Sequence, residues 1–88
     1  MNIVQVVHIG GFGARFTFEV PAGIKLKKGQ MVQVKDKRGY HMCECVTDSH
    51  DLDEEVIDMI MNGKKVTAAV TGVYSLTKFY DIGEADGK

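Results

Sequence analysis

Three residues that can bind a metal ion alternate along one short segment of the chain. His41, Cys43 and Cys45 are each separated by one residue, so on a β-strand their side chains point to the same face. Imidazole and thiolate groups are ligands that zinc and copper accept. On a strand, however, His41 and Cys45 lie roughly 13 Å apart, and a closed zinc site needs two further ligands. We therefore predict that both cysteines pack in the core, with no bound metal ion and no cofactor.

The segment Asp48-Ser49-His50-Asp51 contains every residue type of a hydrolase triad. A triad requires the serine, the histidine and the acid to converge in space, whereas consecutive residues project in different directions. Ser49 and Asp51 are better explained as residues that cap the start of a helix. Because no nucleophile–base pair and no paired carboxylates are recognisable elsewhere, we predict no catalytic residues, no small-molecule substrate and no enzymatic activity.

A glycine-rich segment, Gly10-Gly11-Phe12-Gly13, suggests a phosphate-binding loop. Such loops lead from a strand into a helix, whose N-terminal N–H groups hold the anion. Here the next segment, Arg15 to Val20, alternates between polar and apolar residues, which is typical of a second strand. The glycines are therefore predicted to form a hairpin connection.

Basic and acidic residues are concentrated in two different segments, although the formal net charge of the chain is only −1. Residues 25–38 have a single acid and six basic residues: Lys25, Lys27, Lys28, Lys35, Lys37 and Arg38. Residues 48–58 have no lysine or arginine, and four of their acids are predicted to lie at or near the start of a helix: Asp53, Glu54, Glu55 and Asp58. These acids lack the glycine-containing loop of an EF-hand, so we interpret them as a solvated helix face. This uneven distribution of charge is informative about the partners that the protein binds and not about its fold.

Two functions are compatible with these charges. The first, which we rank higher, is a non-enzymatic binding or adaptor module that contacts another protein or itself. In the self-associating form, the basic hairpin of residues 25–38 meets the acidic helix of residues 48–58. The alternative is an accessory nucleic-acid-binding domain whose basic residues contact phosphates while Tyr40 stacks on a base. A near-neutral protein attracts a polyanion weakly over long distances, which favours the protein contact. The sequence leaves open whether the basic residues form one stripe or two patches.

Alternation of apolar and polar residues predicts strands over residues 3–9, 15–20, 31–35, 40–47 and 66–73. In the second of these, Phe16, Phe18 and Val20 share one face, and Pro21 ends the strand because proline has no N–H to donate. Residues 74–82 still contain apolar side chains, and whether they add a sixth strand is left open.

A helix is predicted to begin at Asp51, where the spacing of Asp51 and Glu54 matches a capping box. The apolar residues that recur on one face of this helix are Leu52, Val56, Met59 and Ile60. We expect this face to pack on the core. Gly63, which follows Asn62, suits the left-handed conformation that ends a helix.

Short strands with glycine-containing turns predict a mainly β protein. We expect a small antiparallel barrel of five or six strands, with one short α-helix before the last strands. The segment from Leu26 to Val34 (LKKGQMVQV), followed by a turn and Gly39, resembles the entry to the central hairpin of SH3-like barrels. This resemblance implies a fold and no particular activity. An SH3-like barrel is preferred over an OB-like one because four strands precede the helix.

Length and composition fit one small globular domain, with 88 residues of which 44% are hydrophobic and 26% charged. We predict a barrel domain over residues 1–82 and a frayed tail over residues 83–88. No stretch approaches the ~20 apolar residues of a membrane-spanning helix, and no signal peptide is evident at the N-terminus. Two cysteines are too few for a disulfide framework. We therefore expect a cytoplasmic protein that does not act at membranes.

Overall fold

A computed structural model describes residues 1–66, 68–75 and 78–82 of the chain. The described residues form seven strands and one helix. In chain order they are β1 (Asn2–His8), β2 (Arg15–Glu19), β3 (Met31–Asp36), β4 (Gly39–Cys45), β5 (His50–Asp51), α1 (Glu54–Met61), β6 (Ala69–Tyr74) and β7 (Phe79–Asp81).

Five of these strands close into a barrel, which confirms the predicted fold class. β1 pairs antiparallel with β2 and β4, and β3 pairs antiparallel with β4 and β6. The barrel closes where Glu19 of β2 meets Ala69 of β6 in the parallel direction, and the Glu19 N–H donates to the Ala68 carbonyl at 3.0 Å. The order is not a simple meander, because β2 and β3 follow each other along the chain but are not neighbours in the sheet. This strand order establishes a small closed barrel but neither an SH3-like nor an OB-like topology, so the SH3-like preference stays a prediction.

Two short strands extend this barrel. β7 pairs antiparallel with β6, so residues 74–82 do contribute a strand, and the aromatic ring of Phe79 occupies the space that a side chain at Gly72 would need. β5 pairs with Asn2 and Ile3 at the start of β1. The predicted tail at residues 83–88 lies outside the described residues.

The interior of the barrel is filled by the alternating side chains that the sequence pattern indicates. The buried cluster consists of Val4, Val6, Phe18, Val20, Leu26, Val32, Val34, Cys43, Cys45 and Val70. Most of these are β-branched residues, which suit a half-buried pleated surface. Phe16 departs from the pattern, because it lies at the open end of the barrel and keeps 43% of its surface exposed.

The glycine-rich segment connects β1 to β2 as a hairpin, as predicted. Gly10 and Gly13 adopt φ angles of 78° and 83°, a region that residues with a side chain rarely enter. Phe12 is fully exposed at the tip. The β3–β4 turn is held differently: the Asp36 carboxylate accepts the Arg38 N–H at 2.8 Å, a short Asx-type contact.

The predicted start of the helix is wrong. α1 begins at Glu54, and its N-cap, Asp53, makes no side-chain capping hydrogen bond. Asp51 instead pairs through β5 with Asn2, and its carboxylate lies 3.2 Å from the N-terminal amine of Met1. Asp51 therefore belongs to a strand pair, and not to the helix start that the capping pattern predicts.

The predicted core-facing side of the helix is also wrong. Val56, Met59 and Ile60 are 40%, 78% and 45% exposed, whereas Ile57 is 6% exposed. No side chain of the eight-residue helix belongs to the buried cluster inside the barrel, and Ile57 is the one buried residue of the helix. The predicted helix end is confirmed: Gly63 has a φ of 78°, and its N–H donates to the Asp58 carbonyl at 2.9 Å.

Replacing Ile57 should therefore affect stability far more than replacing Met59. Ile57→Ala is expected to lower the free energy of unfolding by about 2–4 kcal/mol, because it deletes buried methyl groups and leaves a cavity. Met59→Ala, the control on the same helix, should change it by less than about 0.5 kcal/mol. Urea denaturation at the lowest usable protein concentration measures both without a contribution from association. A larger effect at Met59 would mean that the barrel covers the other side of the helix.

Candidate interaction surfaces

The basic residues of the sequence form two separate patches rather than one stripe. Lys25, Lys27 and Lys28 lie in the loop before β3, and the other three lie at or beyond its far end. A strand of this length separates the two groups by roughly 17 Å.

The first basic patch is interleaved with acids. The Lys28 N–H donates to the Asp48 carboxylate at 2.8 Å. Lys25 and Lys27 border a depression of about 680 Å³ that is also lined by Glu19, Asp48 and Asp51. Positive and negative charges therefore lie side by side in this patch, so its electrostatic potential attracts a purely anionic partner only weakly.

The second patch continues onto an exposed apolar surface on the outside of the β3–β4 hairpin. The Lys35 ammonium lies 5.3 Å from the centre of the Tyr40 ring. Met42 follows Tyr40 by two positions and shares its face. The neighbouring Ile9 donates its N–H to the Met42 carbonyl at 3.1 Å, and the side chains of Ile9, Tyr40 and Met42 are each about half exposed. We call Ile9, Lys35, Tyr40 and Met42 the hairpin face.

The acidic residues lie on the exposed side of α1 and at its N-cap. Asp53, Glu54, Glu55 and Asp58 are exposed, and none of them forms an ion pair with another described residue. Glu55 precedes Met59 by four positions, so the two are neighbours on the helix surface. Val56 and Ile60 have the same spacing and continue the apolar stripe. We call Glu55, Val56, Met59 and Ile60 the helix face.

Ser49 of the triad segment and the possible metal ligands His41, Cys43 and Cys45 make contacts that hold a loop, a turn and the core. The Ser49 hydroxyl accepts a hydrogen bond from the Leu26 N–H at 2.8 Å and donates one to the Leu26 carbonyl at 3.4 Å. These bonds hold the loop before β3 in place. Cys43 and Cys45 are fully buried and unpaired, which confirms their predicted place in the core. His41 instead contacts Asp36, with Nε2 3.1 Å from the carboxylate oxygen. Within the described part of the chain, no three histidine, cysteine or acidic side chains are grouped as metal ligands.

The electrostatics of these buried groups follow from their surroundings. Burial raises the pKa of Cys43 to about 11, and the charge of Asp36 adds to this. Burial likewise raises the pKa of Cys45 to about 11, with smaller contributions from Cys43 and Glu44. The pKa of Asp36 is lowered, first by the hydrogen bond from the Arg38 N–H and then by His41.

Several residues of these surfaces escaped the sequence analysis. The helical pattern predicts Val56, Met59 and Ile60 in the core, because periodicity identifies an apolar side of a helix but not what covers it. Ile9 and Met42 belong to different strands, and only the pairing of β1 with β4 brings them together. In the sequence, this surface is indicated only by the apolar residues on both sides of β1.

Comparison of the chain with protein families, with curated protein sequences and with solved structures yields no match in any of the three. Within the described residues, no helix has the length and apolar character that crossing a membrane requires. Function must therefore be argued from the surfaces themselves.

The buried thiols predict a specific loss of stability at alkaline pH. Between the ordinary thiol pKa of 9.0 and about 11, the folded state keeps protons that the unfolded state releases. The free energy of unfolding should therefore fall as pH rises through this window, and the thiol contribution is fully present below it.

The control is the double variant Cys43→Ala with Cys45→Ala. It should be less stable at neutral pH because packing is lost, but its stability should fall less steeply between pH 9 and about 11. Denaturation series across pH measure both slopes. Parallel slopes would show that the thiols are not desolvated in the folded protein.

Proposed function

We propose that this protein is a non-enzymatic binding module that associates with further copies of itself, the helix face of one copy covering the hairpin face of the next. The observation that carries this proposal is the exposed apolar stripe of Val56, Met59 and Ile60 on a helix whose buried edge is a single residue, Ile57. Exposed apolar side chains grouped on one surface are typical of protein interaction sites.

The two faces are complementary in chemistry. Each has apolar side chains at its centre, and burying these would remove roughly 25 cal/mol of unfavourable free energy per Å². The helix face carries the carboxylate of Glu55, whereas the hairpin face carries the ammonium of Lys35. Opposite charges at the edges of an apolar contact favour one relative orientation and accelerate association.

A contact between two different faces has a geometric consequence. Because each copy offers one helix face and one hairpin face, the association is head-to-tail, and it closes into a ring or continues as a filament. A dimer in which two helix faces meet each other would instead be symmetric and closed. The two arrangements respond differently to mixing of variants.

Mixing two association-defective variants tests this proposal. Met59→Glu should disable the helix face, and Met42→Glu should disable the hairpin face, because each places a carboxylate within an apolar contact. Each variant alone should be monomeric in sedimentation velocity. An equimolar mixture should form a dimer and nothing larger, since each copy retains one intact face of a different kind.

Glu54→Lys is the matched control, because it changes charge on the same helix outside the helix face and should leave association of the wild type intact. If Met42→Glu alone still dimerises, the helix faces meet each other and the head-to-tail proposal is wrong. A wild type that stays monomeric at high protein concentration would reject self-association altogether, and capture of a different protein by the helix face would then replace it.

A further inference from the structure

The open end of the barrel beside the β3–β4 turn is a strongly basic cleft. It has a volume of about 650 Å³, and five exposed cationic side chains from three parts of the chain line it: Arg15, Lys37, Arg38, Lys64 and Lys65. Only Lys37 and Arg38 belong to the basic run of residues 25–38, because Arg15 opens β2 and both Lys64 and Lys65 follow α1.

The cleft contains little negative charge to compensate these cations. Asp36 is the one acid among its lining residues. The carboxylate oxygen of Asp36 is already engaged by the Arg38 N–H at 2.8 Å and by the His41 ring at 3.1 Å. Lys64 and Lys65 also border a depression lined by helix acids, but they form no ion pair there among the described residues.

Aromatic rings form part of the floor of the cleft. Phe16 is 43% exposed, and the centre of its ring lies 4.9 Å from that of His8 in an edge-to-face arrangement. Phe18 lies deeper, with its ring centre 6.4 Å from that of His8. Ile60 and Met61 supply apolar surface as further lining of the cleft. The exposed ring of Phe16 thus lines the same cleft as the five cationic side chains.

We propose that this cleft binds single-stranded nucleic acid, with phosphates held by the five cationic side chains and one base stacked on Phe16. Several cations and an exposed aromatic ring in one cleft match this ligand, because phosphates recur along a strand and every base offers a π-face. A duplex hides its base faces, so it has no group to place on Phe16. The volume of the cleft suits one or two nucleotides, since small-molecule sites span about 300–1,000 Å³. The proposal does not depend on self-association.

Fluorescence anisotropy with a labelled single strand of about 12 thymidines tests this proposal. The logarithm of affinity should fall with the logarithm of salt concentration with a slope of about −2 to −3.5, as expected for three to five phosphate contacts. Arg15→Ala with Lys64→Ala should weaken binding and reduce the magnitude of the slope by about 1.4. Lys25→Ala with Lys27→Ala, the control at the opposite end of β3, should change neither.

Phe16→Leu separates base stacking from charge. It should weaken binding at least about fivefold while leaving the salt slope unchanged. The Met42→Glu variant, whose substitution lies outside the lining of the cleft, should bind as the wild type does, whether or not the proposed self-association holds.

Three results would overturn the proposal. These are no binding at about 50 mM salt, equal loss in the Lys25 and Lys27 control, or a duplex that competes as well as the single strand. Binding to vesicles of anionic phosphatidylserine but not to the oligonucleotide would assign the cleft to membranes instead.

Discussion

The described residues enclose one buried cluster, and side chains of the barrel strands supply most of it. Closure of the barrel between Glu19 and Ala69 completes the enclosure of that cluster, to which no side chain of α1 contributes. Only Ile57 of the helix is buried, and Val56, Met59 and Ile60 face solvent. The same closure leaves an open end, where the β3–β4 turn and the segment after α1 bring cations together. Both candidate surfaces are consequences of how the barrel closes.

Residue alternation predicted the strands and their inward sides because a strand has only two faces. Val32, Val34, Cys43 and Cys45 are fully buried as expected. The buried side of the helix was less predictable, since apolar residues cover a wide side of the helix but only Ile57 among them is buried. Asp51 shows a second reason: a capping pattern is local, whereas the pairing of Asp51 with Asn2 joins residues far apart in the sequence.

The candidate surfaces were predictable only in part, for the same physical reason. A charge run is visible in the sequence, but its neighbours in space are not. Lys25 and Lys27 lie among acids, whereas Lys37 is joined by Arg15 and Lys64, which the chain supplies from other elements. The two surfaces meet at the β3–β4 hairpin, where Lys35 belongs to the hairpin face and Lys37 to the cleft. The helix face and the cleft also adjoin, because Ile60 belongs to the helix face and lines the cleft.

The central claim is that the exposed side of α1 is covered by the hairpin face of another copy. Paramagnetic relaxation measures this directly, with a spin label on a Glu54→Cys variant, beside the helix face, mixed with an isotope-labelled wild type. The label should react only at the new thiol, because Cys43 and Cys45 are buried with pKa values near 11. Broadening of the Tyr40 and Met42 amide signals, with those of Lys25 and Lys27 unaffected, is the predicted result. Broadening confined to the helix of the isotope-labelled wild type, or no broadening at all, would contradict the claim.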